Sequence, residues 1–136
     1  MRTREMLETS PSGAWTDIDA IARCIDGCLD CLQACTSCAD ACLAEETVAD
    51  LRRCIRLNLD CADICDVTAR VVSRQMKPDA HLVRSALQVC ADACAACAAE
   101  CERHAEHMEH CRVCAEACRA CEDACRSALE TVQAVA

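Results

Sequence analysis

Six cysteines, Cys24, Cys28, Cys31, Cys35, Cys38 and Cys42, follow one another at intervals of four, three, four, three and four residues. In an α-helix, at about 100° per residue, their thiols fall within an arc of roughly 80° and make a row about 27 Å long. The spacing returns at Cys90, Cys94, Cys97 and Cys101, and again at Cys111, Cys114, Cys118, Cys121 and Cys125. A sparser row holds Cys54, Cys61 and Cys65, with Asn58 on the turn between the first two. Such rows can form disulfides or bind metal. Helical neighbours have Cβ atoms about 5–6 Å apart, whereas a disulfide needs roughly 3.5–4.5 Å. Disulfides within a row are therefore disfavoured, and metal binding is the chemistry the rows suit.

Three metals compete for that role. Zinc takes four tetrahedral ligands, and four thiolates around each Zn²⁺ leave net negative charge, so a file of such sites would stack buried anions. Iron–sulfur motifs wrap a loop around a cluster rather than lining a straight helix. A local match such as Cys28 and Cys31 is weak support for either. Cu(I) is soft, prefers thiolate and accepts two or three sulfurs. Cysteines one turn apart can flank one such ion without bending the helix. Each Cu⁺ replaces one thiol proton, so a filled core at roughly one ion per thiolate stays near neutral. Bridging thiolates then allow extended clusters. An iron–sulfur electron carrier and a zinc or cadmium buffer are the competing functions.

The elements that must hold the rows read as helices. Thr16-Asp17-Ile18-Asp19 carries a helix-start signature, which predicts a helix over about 17–44. Thr47 with Asp50 repeats the signature and predicts a second helix over 47–75, stopped before Pro78. A third runs over about 79–104. No glycine or proline separates Cys101 from Cys111. A break near Ala105 to Glu109 is nevertheless required, because a chain this short must fold its thiol row back to bury it. The fourth helix spans about 109–133. Four amphipathic helices with short turns give an all-α, antiparallel up-down-up-down four-helix bundle with a cysteine-lined core, covering residues 16–136. Residues 1–15 carry no repeat and form an N-terminal arm or short docking helix.

Composition agrees. Leu, Ile and Val total twenty-four residues and Phe and Tyr are absent, so eighteen cysteines stand where leucine usually does. Reduced buried cysteine packs as a small hydrophobe. Two glycines and two prolines do not suit a loop-rich disulfide scaffold. The formal charge of −9 and the single aromatic, Trp15, argue against nucleic-acid binding. No apolar leader opens the chain, and no run approaches the roughly 20 apolar residues of a membrane span. A reducing cytoplasm, where thiols stay free, is the expected compartment.

The repeated four-and-three spacing on four helices, from Ile18 to Leu129, resembles the bacterial copper storage protein family. The resemblance implies reversible storage of many Cu(I) ions, with the cysteines from Cys24 through Cys125 as ligands, in a homotetramer of bundles. The lack of a leader matches the cytosolic branch, and no catalytic role is implied. The copper donor and acceptor are not legible.

The antiparallel register distinguishes two ends. Ile21, Thr68, Leu87 and Leu129 close one with mainly apolar groups. At the other, Cys42, Cys54, Cys101 and Cys111 are followed outward by His104, His107, Met108 and His110, all able to bind Cu(I) more weakly than thiolate. That end is the expected mouth. His81 and Met76, at the opposite turn, read as ordinary surface residues. Glu45 and Glu46 read as loop charges. A second apolar row, Ile25, Leu29, Leu32 and Leu43, with Ile55, Leu59 and Val67 on the next helix, suggests bundle-to-bundle contacts.

Overall fold

A computed structural model describes residues 1–132. Five α-helices follow in order: α1 Thr3–Thr9, α2 Ile18–Ala44, α3 Arg52–Ser73, α4 Ala80–His104 and α5 Glu109–Thr131. Helices α2 to α5 make the four-helix bundle. Helix α2 packs on α3 and α5, and α4 packs on the same two, so the thiol rows converge on one axis.

The helix starts follow from side-chain chemistry. Asp17, rather than Thr16, caps α2 by accepting from the Ala20 N–H at 3.0 Å. Asp79 does the same for α4 through the Leu82 N–H. The expected start at Thr47 is corrected: its side chain makes no cap bond, and Val48–Leu51 forms a 3₁₀ turn before α3 begins at Arg52. Helix α3 also ends at Ser73 instead of Gln75, because Arg74 turns extended and bonds back to the Val71 carbonyl. Lys77, before Pro78, takes a positive φ of 49°, the proline having disfavoured helix there. The α4–α5 break lies where chain reversal demanded it, with the Met108 N–H returning to the His104 carbonyl at 3.0 Å. The predicted α5 end at residue 133 lies outside the described residues.

The end away from the mouth is an apolar plug. Ile21, Val72 and Leu87 are fully buried, each stabilising the fold by roughly 1.5–3 kcal/mol over an exposed side chain. Thr68 joins them, but Leu129 is corrected: Ala128 takes the fully buried position on α5, and Leu129 packs only partly against the core. The N-terminal segment seals this end. Leu7 of α1 is buried, the Gln75 amide donates to the Leu7 carbonyl at 3.0 Å, and the Trp15 indole N–H donates to the Val72 carbonyl at 3.1 Å.

One compositional expectation fails. Helix α4 is long and apolar enough, by length and composition, to cross a membrane, because alanine and cysteine both count as apolar. In the fold its cysteine row faces the other helices: Cys90, Cys94, Cys97 and Cys101 are fully buried.

Candidate metal centre

All eighteen cysteines are buried and none is in a disulfide. Each row lies along the inward face of its helix because the four-and-three spacing tracks the 3.6-residue turn. Facing sulfurs meet at van der Waals distance. Cys31 Sγ lies 3.7 Å from Cys35, 3.7 Å from Cys61, 4.0 Å from Cys94 and 3.6 Å from Cys118. Cys65 touches Cys90 and Cys94, both at 3.8 Å. At the plugged end Cys24 meets Cys125 at 3.8 Å.

The sulfurs gather in fours, every pair within 4.8 Å. Cys28, Cys90, Cys121 and Cys125 make one group, Cys31, Cys65, Cys94 and Cys121 the next, and Cys31, Cys35, Cys61 and Cys118 a third. Cys35, Cys97, Cys114 and Cys118 follow, then Cys38, Cys42, Cys54 and Cys111 at the mouth. Cys31, Cys35, Cys118 and Cys121 each belong to two groups. Shared sulfurs turn separate sites into one column, in which a thiolate can bridge ions above and below it.

Burial and proton sharing set the order in which these thiols ionise. Burial pushes Cys42 up to about 11 and Cys111 up to about 12, since a thiolate loses its hydration there. Cys54 is drawn down to about 3 by hydrogen bonds from Cys101 and Cys38, and Cys24 to about 5 by Cys125 and Cys28. A column of thiols thus offers some sulfurs as ready acceptors while their neighbours keep protons that a metal must displace.

The four predicted mouth residues do not behave alike. His110 reaches the sulfurs: its Nδ1 lies 3.3 Å from Cys38 Sγ and 3.6 Å from Cys111 Sγ. Its Nε2 is buried without a hydrogen-bond partner and sits 3.9 Å from a Glu45 carboxylate oxygen. Glu45 therefore flanks the thiol-facing ring, which its place in a loop did not reveal. His104 Nε2 is 2.9 Å from Glu100, a buried carboxylate also paired with Arg53 and Arg103. Such a carboxylate orients an imidazole and leaves Nδ1 for another partner. Met108 packs partly buried against the core. His107 is not gathered with them: its side chain is exposed, and only its backbone N–H turns back, to the His104 carbonyl. His81 and Met76 are exposed at the far end.

Asn58 is the residue whose importance spacing understated. It stands on the α3 row where a thiol would continue the four-three-four rhythm, and it is fully buried. Its Oδ1 accepts from Cys97 at 3.0 Å, Cys114 at 3.2 Å and Cys101 at 3.6 Å, while its Nδ2 donates to Cys54 at 3.8 Å.

A four-helix bundle filled with touching, unpaired thiols defines a class: a protein that takes soft, thiophilic metal ions into its own core. Comparison with known proteins makes the class specific. The family model for copper storage protein matches residues 17–130, and the chain belongs to that family. It is 56% identical to the copper storage protein Ccsp from Streptomyces lividans loaded with 10 copper equivalents, over 95% of this chain and 98% of that one, with a TM-score of 0.93. A second structure of the Streptomyces lividans protein, described as cytosolic and holding five coppers, is 60% identical over 85% and 96%, with a TM-score of 0.83. The Cu(I)-bound copper storage protein BsCsp3 is 35% identical over 81% and 95%, with a TM-score of 0.69. An uncharacterised cysteine-rich protein of Bacillus subtilis (strain 168), YhjQ, is 41% identical over 73 residues, 54% of this chain. The match spans 64% of that relative's length.

Proposed function

We propose that this protein is a cytoplasmic store and buffer of Cu(I), holding many ions on the thiolates of Cys24 through Cys125, with no catalytic step. The observation that carries the reading is the column of free, buried sulfurs along the bundle axis, many of them in contact at 3.5–4.0 Å and gathered in groups that share members. Straight rows with shared sulfurs suit two- and three-coordinate ions and bridging, and suit isolated tetrahedral zinc sites poorly. Family membership supports the same cargo, and the Streptomyces lividans relative described as cytosolic supports the compartment. Colour under anaerobic conditions and metal competition test the choice. The Cu(I)-loaded protein is colourless and luminesces under ultraviolet light. A brown protein would mean iron–sulfur clusters, and retention of Zn²⁺ against equimolar Cu(I) would mean a divalent buffer.

Copper passes through the mouth by way of His110, His104 and Met108, with the exposed His107 outermost. Support comes from the His110 ring lying against Cys38 and Cys111, and from the apolar plug at the opposite end. Replacing His104, His107, Met108 and His110 by non-ligating residues is expected to slow loading and removal while capacity stays nearly unchanged. A variant at His81 and Met76 serves as the control and keeps wild-type rates. Stopped-flow transfer of Cu(I) to and from a chelator gives the answer, and equal rates in all three proteins would defeat this route.

Residues 16–136 act as the storage bundle, with residues 1–15 as its docking arm. The bundles assemble as a homotetramer. Of the second apolar row, Ile25 is buried beneath α1 and Leu29, Leu32 and Ile55 are half-buried, but Leu43, Leu59 and Val67 are exposed, as is Met6 of α1. That exposed aliphatic surface is what self-association would cover. Sedimentation equilibrium at micromolar concentration is expected to give a mass four times that of the chain, and a monomer would refute assembly.

A further inference from the structure

We propose that Glu100 is a positioning residue for copper entry: it fixes the His104 ring so that Nδ1, the nitrogen left with a lone pair, receives the incoming ion. The proposal rests on the entry route given above. Glu100 lies one turn before His104 on α4, with its side chain 7% exposed, and its two oxygens are divided between partners. Oε1 is held from two helices, by Arg103 of α4 at 3.2 Å and by Arg53 of α3 at 3.6 Å. Oε2 is 2.9 Å from His104 Nε2. With one oxygen clamped, the other has a fixed direction, and so has the ring bonded to it. The arginines do not account for the burial. Both are mostly exposed, and ion pairs of that kind form on the open surface without the cost of burying a carboxylate.

An ionised carboxylate only accepts hydrogen bonds, so this contact puts the proton of a neutral imidazole on Nε2 and leaves Nδ1 free to ligate. The other mouth histidines lack the arrangement. His107 is exposed, and His110 Nε2 stands 3.9 Å from Glu45, beyond a hydrogen bond. The His104 side chain is 20% exposed, so it meets both solvent and the bundle end. It lies three residues beyond Cys101, on the same face of α4, and Cys101 Sγ is 3.7 Å from Cys54. An arriving ion thus finds a held nitrogen at the rim and two touching thiols one turn inward. Copper stays Cu(I) throughout the transfer. Nδ1 replaces one donor of the carrier, a thiolate then replaces Nδ1, and the thiol proton leaves to solvent.

The test joins two readings on the full-length protein. In the metal-free wild type, long-range nitrogen–proton NMR at neutral pH is expected to find His104 protonated on Nε2 and bare on Nδ1; a proton on Nδ1 overturns the proposal. Loading is then followed anaerobically by stopped flow, with Cu(I) delivered as its bicinchoninate complex. Glu100→Ala and His104→Ala are each expected to slow loading about tenfold with final capacity unchanged. The double variant is expected to be no slower than His104→Ala alone, because the carboxylate acts through the ring. Additive slowing overturns the proposal. Arg53→Gln removes the α3 tie but leaves the Glu100–His104 contact, and keeps the wild-type rate; slowing equal to that of Glu100→Ala would make the carboxylate a clamp between helices and nothing more. If Glu100→Ala does not fold, Glu100→Gln decides. Fast loading with Nδ1 bare, or slow loading with Nδ1 protonated, supports the proposal, and the opposite pairings overturn it. A wild-type rate in Glu100→Ala beside a slow His104→Ala refutes positioning alone, whereas a wild-type rate in His104→Ala refutes entry at His104 and the proposal with it.

Discussion

Titrated anaerobically with Cu(I), the protein takes up on the order of one ion per cysteine, about eighteen in all, and protons leave from the thiols that still carry them. Capacity follows from the sulfur column: shared thiolates bridge, and exchange of H⁺ for Cu⁺ leaves the core near neutral however many ions it holds. Proton release follows from the protonation of the mouth thiols. Cys42 and Cys111 are raised to about 11 and 12 by burial, so both carry a proton at neutral pH. The sign is then fixed: lowering the pH strengthens the competitor, and affinity at these thiols falls about tenfold per pH unit for each proton displaced. Helix content stays constant through the titration, since reduced buried cysteine packs as a small hydrophobe and fills the core as the apolar side chain of a bundle does. Competition with a colorimetric chelator gives the stoichiometry, a weakly buffered pH-stat the protons and far-ultraviolet circular dichroism the helix. Saturation at three or four ions, or a large gain of helix on loading, would end the storage reading.

Cysteines of the same type are expected to be worth different numbers of ions. Cys31 touches four other sulfurs and belongs to two four-sulfur groups. Cys24 lies at the end of the column, 3.8 Å from Cys125, and belongs to none of the four-sulfur groups named above. Cys31→Ser therefore lowers capacity by two ions or more, because a bridging thiolate is a ligand to each ion it joins and serine oxygen does not replace it. Cys24→Ser loses about one. Metal analysis of both variants after loading and desalting makes the comparison, with unchanged circular dichroism showing that each still folds. Equal losses of one ion apiece would mean that thiolates act singly and that the column is not bridged.

Much of this architecture is local. The rows Cys24–Cys42, Cys90–Cys101 and Cys111–Cys125 were legible because a thiol every three or four residues tracks the helical turn, and no other regular structure brings those positions to one face. The starts near residues 17 and 79 were legible to within a residue, although Asp17 and not Thr16 caps α2, because an N-cap needs only its own side chain and the amide three residues on. Thr47 failed at the third: the α2–α3 connection tightens into a 3₁₀ turn, a geometry set by how the two helices meet.

From sequence alone came the four helices, the inward thiols, the soft-metal cargo and which end carries histidine and methionine. Only the tertiary structure decided which sulfurs are shared, that His110 lies on Cys38 and Cys111 while His107 stays outside, that Glu100 holds His104, and that Asn58 bonds thiols of two other helices as well as Cys54 of its own. The physical reason is the same throughout. A row's existence depends on the period of one helix, whereas the partners of each thiol depend on the rotation and axial offset of four helices against one another. Packing across the whole bundle sets those quantities, and no spacing within a single helix encodes them.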